Sequence, residues 1–153
     1  MVRLNMAHYA ENRKARFNYE ILEKYEAGIE LLGVEVKSVR GGRMSLEGAF
    51  VIVRGGEAFL INANIPAYQP NNAPKDYNPL RNKKLLLTKK EIATLAGSEK
   101  NKSLTIVPIS VYNKGRKIKV EIALVKGKKK HDKRETIKKR ETDREIRREY
   151  KER

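Results

Sequence analysis

Between Phe17 and Leu31 the apolar residues fall on alternate positions, at Phe17, Tyr19, Ile21, Tyr25, Ala27, Ile29 and Leu31, with only Glu23 breaking the pattern. A helix needs apolar residues three or four apart to build one buried face, whereas a strand turns alternate residues to the same side. The stretch therefore reads as one long, bent strand, with Gly28 offering a bulge. Two hairpins share this logic. Ala49 to Val53 and Ala58 to Ile61 flank Arg54-Gly55-Gly56-Glu57, where glycine can take the positive φ of a tight turn. Leu104 to Tyr112 and Lys117 to Val125 flank Asn113-Lys114-Gly115. The return strand turns Ile118, Val120, Ile122 and Leu124 inward and Lys117, Lys119 and Glu121 outward, so one side packs and the other stays polar.

Helical signals are sparser. Thr88 and Glu91 form a Thr-x-x-Glu capping box, Leu87 and Ile92 can staple it, and Gly97 can end it, giving a helix over 89–96. Periodicity leaves 34–43 open, because Val34 and Val36 alternate as in a strand while the following glycines could close a short helix. Pro66, Pro70, Pro74 and Pro79, interspersed with Asn71, Asn72 and Asn78, make a long loop. Five or six antiparallel strands with a helix inserted between hairpins lead to a mainly β fold. The expected architecture is a small antiparallel β-barrel of the oligonucleotide/oligosaccharide-binding (OB) type, with two or three short helices.

Charge then divides the chain. Residues 1–125 carry 21 basic and 12 acidic side chains, residues 126–153 carry 14 and 7, and the whole is +16. The body is expected to span 1–125 and to fold alone. The tail, 126–153, has few large apolar residues beyond Ile137, Ile146 and Tyr150, too little to offset its ordering entropy, and is expected to be disordered when free. Yet Glu135 and Lys139, Asp143 and Arg147, and Glu149 and Arg153 stand four apart, the spacing that supports a helix once the tail is bound. A polyanion is needed to neutralise so much positive charge, and nucleic acid is the leading partner class. No apolar run approaches the ~18 residues of a membrane span. The chain has no cysteine, which excludes disulfides and thiolate zinc sites, and its only histidines are His8 and His131. No secretory h-region is visible, so a cytoplasmic protein without cofactor or metal is expected.

Four basic clusters can meet phosphate: Arg13, Lys14 and Arg16; Lys37, Arg40 and Arg43; Arg81, Lys83 and Lys84; and Lys126 through Arg134. Any one could be a solvated surface, but four on a +16 chain favour RNA. Tyr19, Tyr25, Tyr68, Tyr77 and Tyr112 could stack on bases, although tyrosines in strands are more often half-buried, and none is assigned that role. Glu26 is an acid on a basic chain beside a bend. It could face solvent, accept from base amino groups or 2′-hydroxyls, or brace a neighbouring arginine.

Five segments together resemble the small protein B family. They are Asn12-Arg13-Lys14-Ala15, Glu26-Ala27-Gly28-Ile29, Gly33-Val34-Glu35-Val36-Lys37-Ser38-Val39-Arg40, Arg81-Asn82-Lys83-Lys84-Leu85-Leu86-Leu87, and Gly127-Lys128-Lys129-Lys130-His131-Asp132-Lys133-Arg134. The resemblance implies a non-enzymatic OB-type protein that binds the transfer-RNA-like domain of transfer-messenger RNA and escorts it to stalled ribosomes. It ties Glu26, Leu86 and Thr88 to RNA binding; Asn12, Arg13, Lys14, Arg16, Lys37, Arg40, Arg81, Lys83 and Lys84 join them as candidate RNA contacts from the basic clusters and the segment that opens at Asn12. It also ties His131, Asp132, Lys133 and Arg134 to ribosome engagement, with the tail entering the small-subunit decoding region and messenger channel; Lys128, Lys129 and Lys130 by charge, and Ile146 and Tyr150 as an i, i+4 apolar pair, are the further tail candidates. The resemblance makes 34–43 a short helix. Relatives often carry Asn or His where this chain has Thr88, and one hydroxyl cannot easily both cap a helix and touch RNA, so capping ranks first there. The protein is expected to act as a monomer. A structural ribosomal protein and an RNA-processing enzyme are the competing classes, the latter without any paired-carboxylate, metal or nucleophile motif.

Overall fold

The structure, a computed structural model, describes residues 8–69 and 74–127, without the side chain of Arg16. The chain runs β1 (His8–Glu11), α1 (Arg13–Asn18), β2 (Tyr19–Ile29), α2 (Gly33–Arg40), β3 (Phe50–Arg54), β4 (Glu57–Ile61), β5 (Lys83–Leu86), α3 (Lys89–Glu99), β6 (Leu104–Lys114) and β7 (Lys117–Gly127). It is mainly β, with seven strands in one antiparallel sheet in the order β1-β6-β3-β4-β5-β2-β7. β6 also pairs with β7, so the pairings from β6 through β3, β4, β5, β2 and β7 return to β6 in a closed circuit, and β1 adds to the outside edge of β6.

Pro108 shows how β6 serves two partners on one edge. β3 pairs with it at Ile106 and β1 from Ser110 to Tyr112, and the proline, which has no N–H to give, falls between the two. Inside the circuit the alternation does its work: Ala27, Val51, Leu60, Leu85, Ile106, Val111, Val120 and Ile122 form one core with Leu95 of α3 and Val39 of α2.

The strand expected from Phe17 begins instead at Tyr19, because Asn12 caps a helix that takes in Phe17. The Asn12 side chain accepts from the Ala15 amide at 3.2 Å. The bulge expected at Gly28 lies at Leu22, where the register against β7 steps from Ile21–Val125 to Glu23–Leu124. Gly28 is needed for close approach rather than for a kink. A Cβ there would sit 3.2 Å from Leu86 Cβ on the neighbouring strand. The expectation of one polar side to β7 also holds only in part, since Ala123 and Val125 are buried with Val107, Ile109 and Ala15 in a second core under α1.

The turn at Gly55-Gly56 has φ of 59° and 76°, the paired positive angles of a tight hairpin. α3 starts at the capping box formed by Thr88 and Glu91 but does not stop at Gly97. It runs on to Glu99, whose carboxylate accepts from the Val53 amide at 2.9 Å and pairs with Arg54 at 3.3 Å. Tertiary bonds at the last turn thus outweigh the glycine's low helix propensity. The open stretch after Gly33 is helix α2. β7 reaches Gly127, two residues past the charge boundary at 125.

Candidate nucleic-acid interface

Register alone assembles one row of residues across the outside of five strands. Leu86 on β5 lies opposite Gly28 on β2, Gly28 opposite Lys119 on β7, Lys119 opposite Tyr112 on β6, and Tyr112 opposite His8 on β1. Residues directly opposite in a sheet share a face. The next row on that face holds Glu26, Glu121, Ser110 and Glu11. Leu86 is 49% exposed and Gly28 beside it carries no side chain, so the two make a low apolar step. Glu26 stands next to that step.

Glu26 is neither a free surface acid nor a brace for arginine. The Tyr112 hydroxyl donates to one carboxylate oxygen at 2.6 Å and Lys114 Nζ donates to the other at 3.1 Å. These two donors, the tyrosine foremost, hold the carboxyl below its usual pKa, while burial and then Glu26 itself push the Tyr112 phenol upward. The carboxylate is thus ionised, fixed in orientation and still 39% exposed, with lone pairs left for a further donor. A base amino group or a 2′-hydroxyl supplies such a donor. An exposed leucine beside a flat glycine offers packing for the apolar face of a ribose or base.

Around the end of the β6–β7 hairpin this face runs into α2. Lys114 holds Glu26, and two residues on, the carbonyl of Arg116 accepts from Arg40 at 3.1 Å. Lys37 and Arg40 are both exposed in the last turn of α2, where positive charge is also favoured by the helix dipole.

Other candidates are drawn inward. Lys83 is fully buried, and its Nζ donates to the carbonyls of Ala63 at 2.6 Å and Pro79 at 3.3 Å. Burial lowers its pKa to about 8. The expectation that it neutralises phosphate gives way to a role pinning the loop before β5, because the alternation of β5 points Lys83 and Leu85 into the core and Lys84 and Leu86 out. Arg81 is likewise committed. It contacts the fully buried carboxylate of Glu35 at 2.6 and 3.3 Å and also reaches the Glu30 carbonyl. Asn12 spends both ends of its amide within the fold, accepting from Ala15 N and donating to the Pro108 carbonyl at 3.0 Å. The Thr88 hydroxyl both accepts from the Glu91 amide and donates to its carboxylate, so its bonds serve the helix start.

Arg13 is exposed, Lys14 pairs with Glu47, and Lys84 pairs with Glu57 at 3.1 Å. Lys128 through Arg134, Ile146 and Tyr150 lie outside the described residues, as does the Arg16 side chain. Tyr112, Lys114, Lys119 and Gly28 belong to the face without having been singled out for it. The outward alternation of Lys119 was the one available signal. Among the described residues no helix is long and apolar enough to cross a membrane.

The chain is similar to known proteins over nearly its whole length. The family model described as SmpB protein matches residues 9–152. The SsrA-binding protein of Mesoplasma florum is 54% identical over 142 residues, covering 93% of this chain and 95% of that one. The SsrA-binding protein of Gloeothece citriformis is 51% identical over 138 residues, 90% and 89% of the two chains. A chain in the solved structure described as "tmRNA-SmpB: a journey to the center of the bacterial ribosome" matches with a TM-score of 0.66 and 40% identity. It covers 86% of this chain and 94% of that one. A match across nearly the whole length, at about half identity, makes this chain a member of the SmpB family.

Proposed function

We propose that this protein binds the transfer-RNA-like domain of transfer-messenger RNA and delivers it to stalled ribosomes, acting in the cytoplasm as a scaffold that makes and breaks no covalent bond. The observation that carries the reading is the Leu86–Gly28–Glu26 step, an apolar ledge beside a fixed carboxylate, on a +16 chain whose relatives are named SsrA-binding proteins. The closed circuit of strand pairings supports an OB-type barrel as its frame. The body supplies the RNA site through Glu26 and Leu86 with Arg13, Lys14, Lys37, Arg40 and Lys84. The tail from residue 126, through Lys128 to Arg134 and on to Ile146 and Tyr150, then engages the decoding region and messenger channel and becomes helical there.

Affinity of the full-length protein for a transcript of that RNA domain, measured across a salt series, tests the reading. If ~5 phosphates are neutralised, the log–log slope is about −4. Glu26→Ala is expected to weaken binding while lowering stability by about 1–2 kcal/mol, since the Lys114 pair is exposed and the Tyr112 hydroxyl bond part-buried. Affinity insensitive to both salt and Glu26→Ala overturns the site.

A further inference from the structure

Tyr68 sits in the long loop after β4 and is 40% exposed. Its position is nonetheless held at two points by one side chain. The Arg43 guanidinium lies over the ring, 5.6 Å from its centroid, and its NH1 donates to the Tyr68 carbonyl at 3.1 Å. Beside the ring an open recess is lined by Tyr68, Lys37, Arg40 and Gly41.

Among the described residues the cations here make no ion pair, a state they share with Arg13, Lys117 and Lys119 but not with every surface cation. Lys14, Lys24, Arg54, Lys84 and Lys114 each pair with a glutamate. Among the described residues no carboxylate pairs with Lys37, Arg40 or Arg43. Three unneutralised cations gathered round a fixed, exposed aromatic ring match the chemistry of an unpaired nucleotide, whose base offers a π-face and whose flanking phosphates offer charge. Arg40 also ties this patch to the hairpin end that holds Glu26, so the two surfaces adjoin.

We infer that Tyr68 is a stacking platform for an unpaired base of the bound RNA, with Lys37, Arg40 and Arg43 holding its neighbouring phosphates. The inference rests on the proposed function only in taking RNA as the partner. It adds a second contact beside the Glu26 step.

The chain contains no tryptophan, so Tyr68→Trp introduces a single reporter into the full-length protein. Titration with the transfer-RNA-like transcript is expected to quench its emission as binding saturates. Tyr68→Phe should bind as the parent does. Tyr68→Ala should bind about five- to tenfold more weakly with the salt slope unchanged, because stacking releases no counterions. Lys37→Ala, Arg40→Ala and Arg43→Ala should each make the slope shallower by roughly one. Wild-type affinity for Tyr68→Ala, or tight binding by Tyr68→Trp without a change in emission, overturns the inference while leaving the proposed function standing. Failure of the parent protein to bind the transcript at all overturns the function instead.

Discussion

The ion pair between Glu35 and Arg81 ties three parts of the fold together, and breaking it from either side should have unequal effects. Glu35 is fully buried on α2. It accepts from the Leu32 amide at 2.7 Å and from Arg81 at 2.6 and 3.3 Å, while the nearby Tyr77 hydroxyl gives its proton to the Ile65 carbonyl at 2.6 Å. Arg81 keeps 34% of its side chain exposed and so can turn to water. Glu35→Gln therefore leaves a cation that solvent can reach and retains an acceptor for the Leu32 amide, at a cost of about 1–2 kcal/mol. Arg81→Met leaves a carboxylate in the interior with the Leu32 amide as its neutral donor. Removing one partner of a buried pair costs about 3–5 kcal/mol, and the exposed edge of Arg81 brings the expectation to about 3. In the double variant no charge remains to be stranded, so it should fall at least about 1.5 kcal/mol short of the sum of the single effects. Urea unfolding of the four proteins, with equal m-values as the check on two-state behaviour, measures this. Additivity within about 0.5 kcal/mol would refute the reasoning.

Lys83 is buried with its pKa lowered to about 8 from an ordinary 10.5, so its proton is released in the folded protein before the unfolded one. The unfolded state then binds more protons between those values, and stability rises with pH across that window and is fully penalised below it. Against Lys83→Met, in which tyrosine titrations cancel, the parent should gain up to about 3 kcal/mol from pH 7.5 to 10.5, and parallel pH profiles would contradict this. Gly28→Ala places a Cβ 3.2 Å from Leu86 Cβ and should displace Leu86, weakening RNA binding more than it lowers the melting temperature; unchanged affinity would remove the step from the site. Truncation after Gly127 preserves every residue of β7 and should leave RNA binding while abolishing peptide tagging of stalled chains; full tagging by the truncated protein would deny the tail its role.

Strands were legible wherever one face met the core and the other did not, as in β3 and β4, because alternation is a direct image of burial. Phe17 misled because its place in the alternation continued β2, while the decisive interaction, Asn12 capping Ala15, is local and polar. Lys83 misled for the opposite reason. Its charge marked it for the surface, yet period two in a four-residue strand sends it inward with Leu85. The capping box at Thr88 could be read because it is closed within four residues. Glu26 could be noticed as an acid out of place, but its partners Tyr112 and Lys114 lie more than eighty residues away and become neighbours only through strand register. The Leu86–Gly28 step shares that origin. Pairing of β5 with β2 makes it, and no pattern within either segment announces it.

The identity of the bound RNA bears most directly on the proposed function. The full-length protein and its Glu26→Ala variant would be expressed in bacterial cells, crosslinked, recovered under denaturing wash, and the attached RNA sequenced. One dominant transfer-messenger RNA is expected, with crosslinks concentrated in its transfer-RNA-like domain and depleted in the variant. A broad spread of transcripts, the same for both proteins, would contradict it.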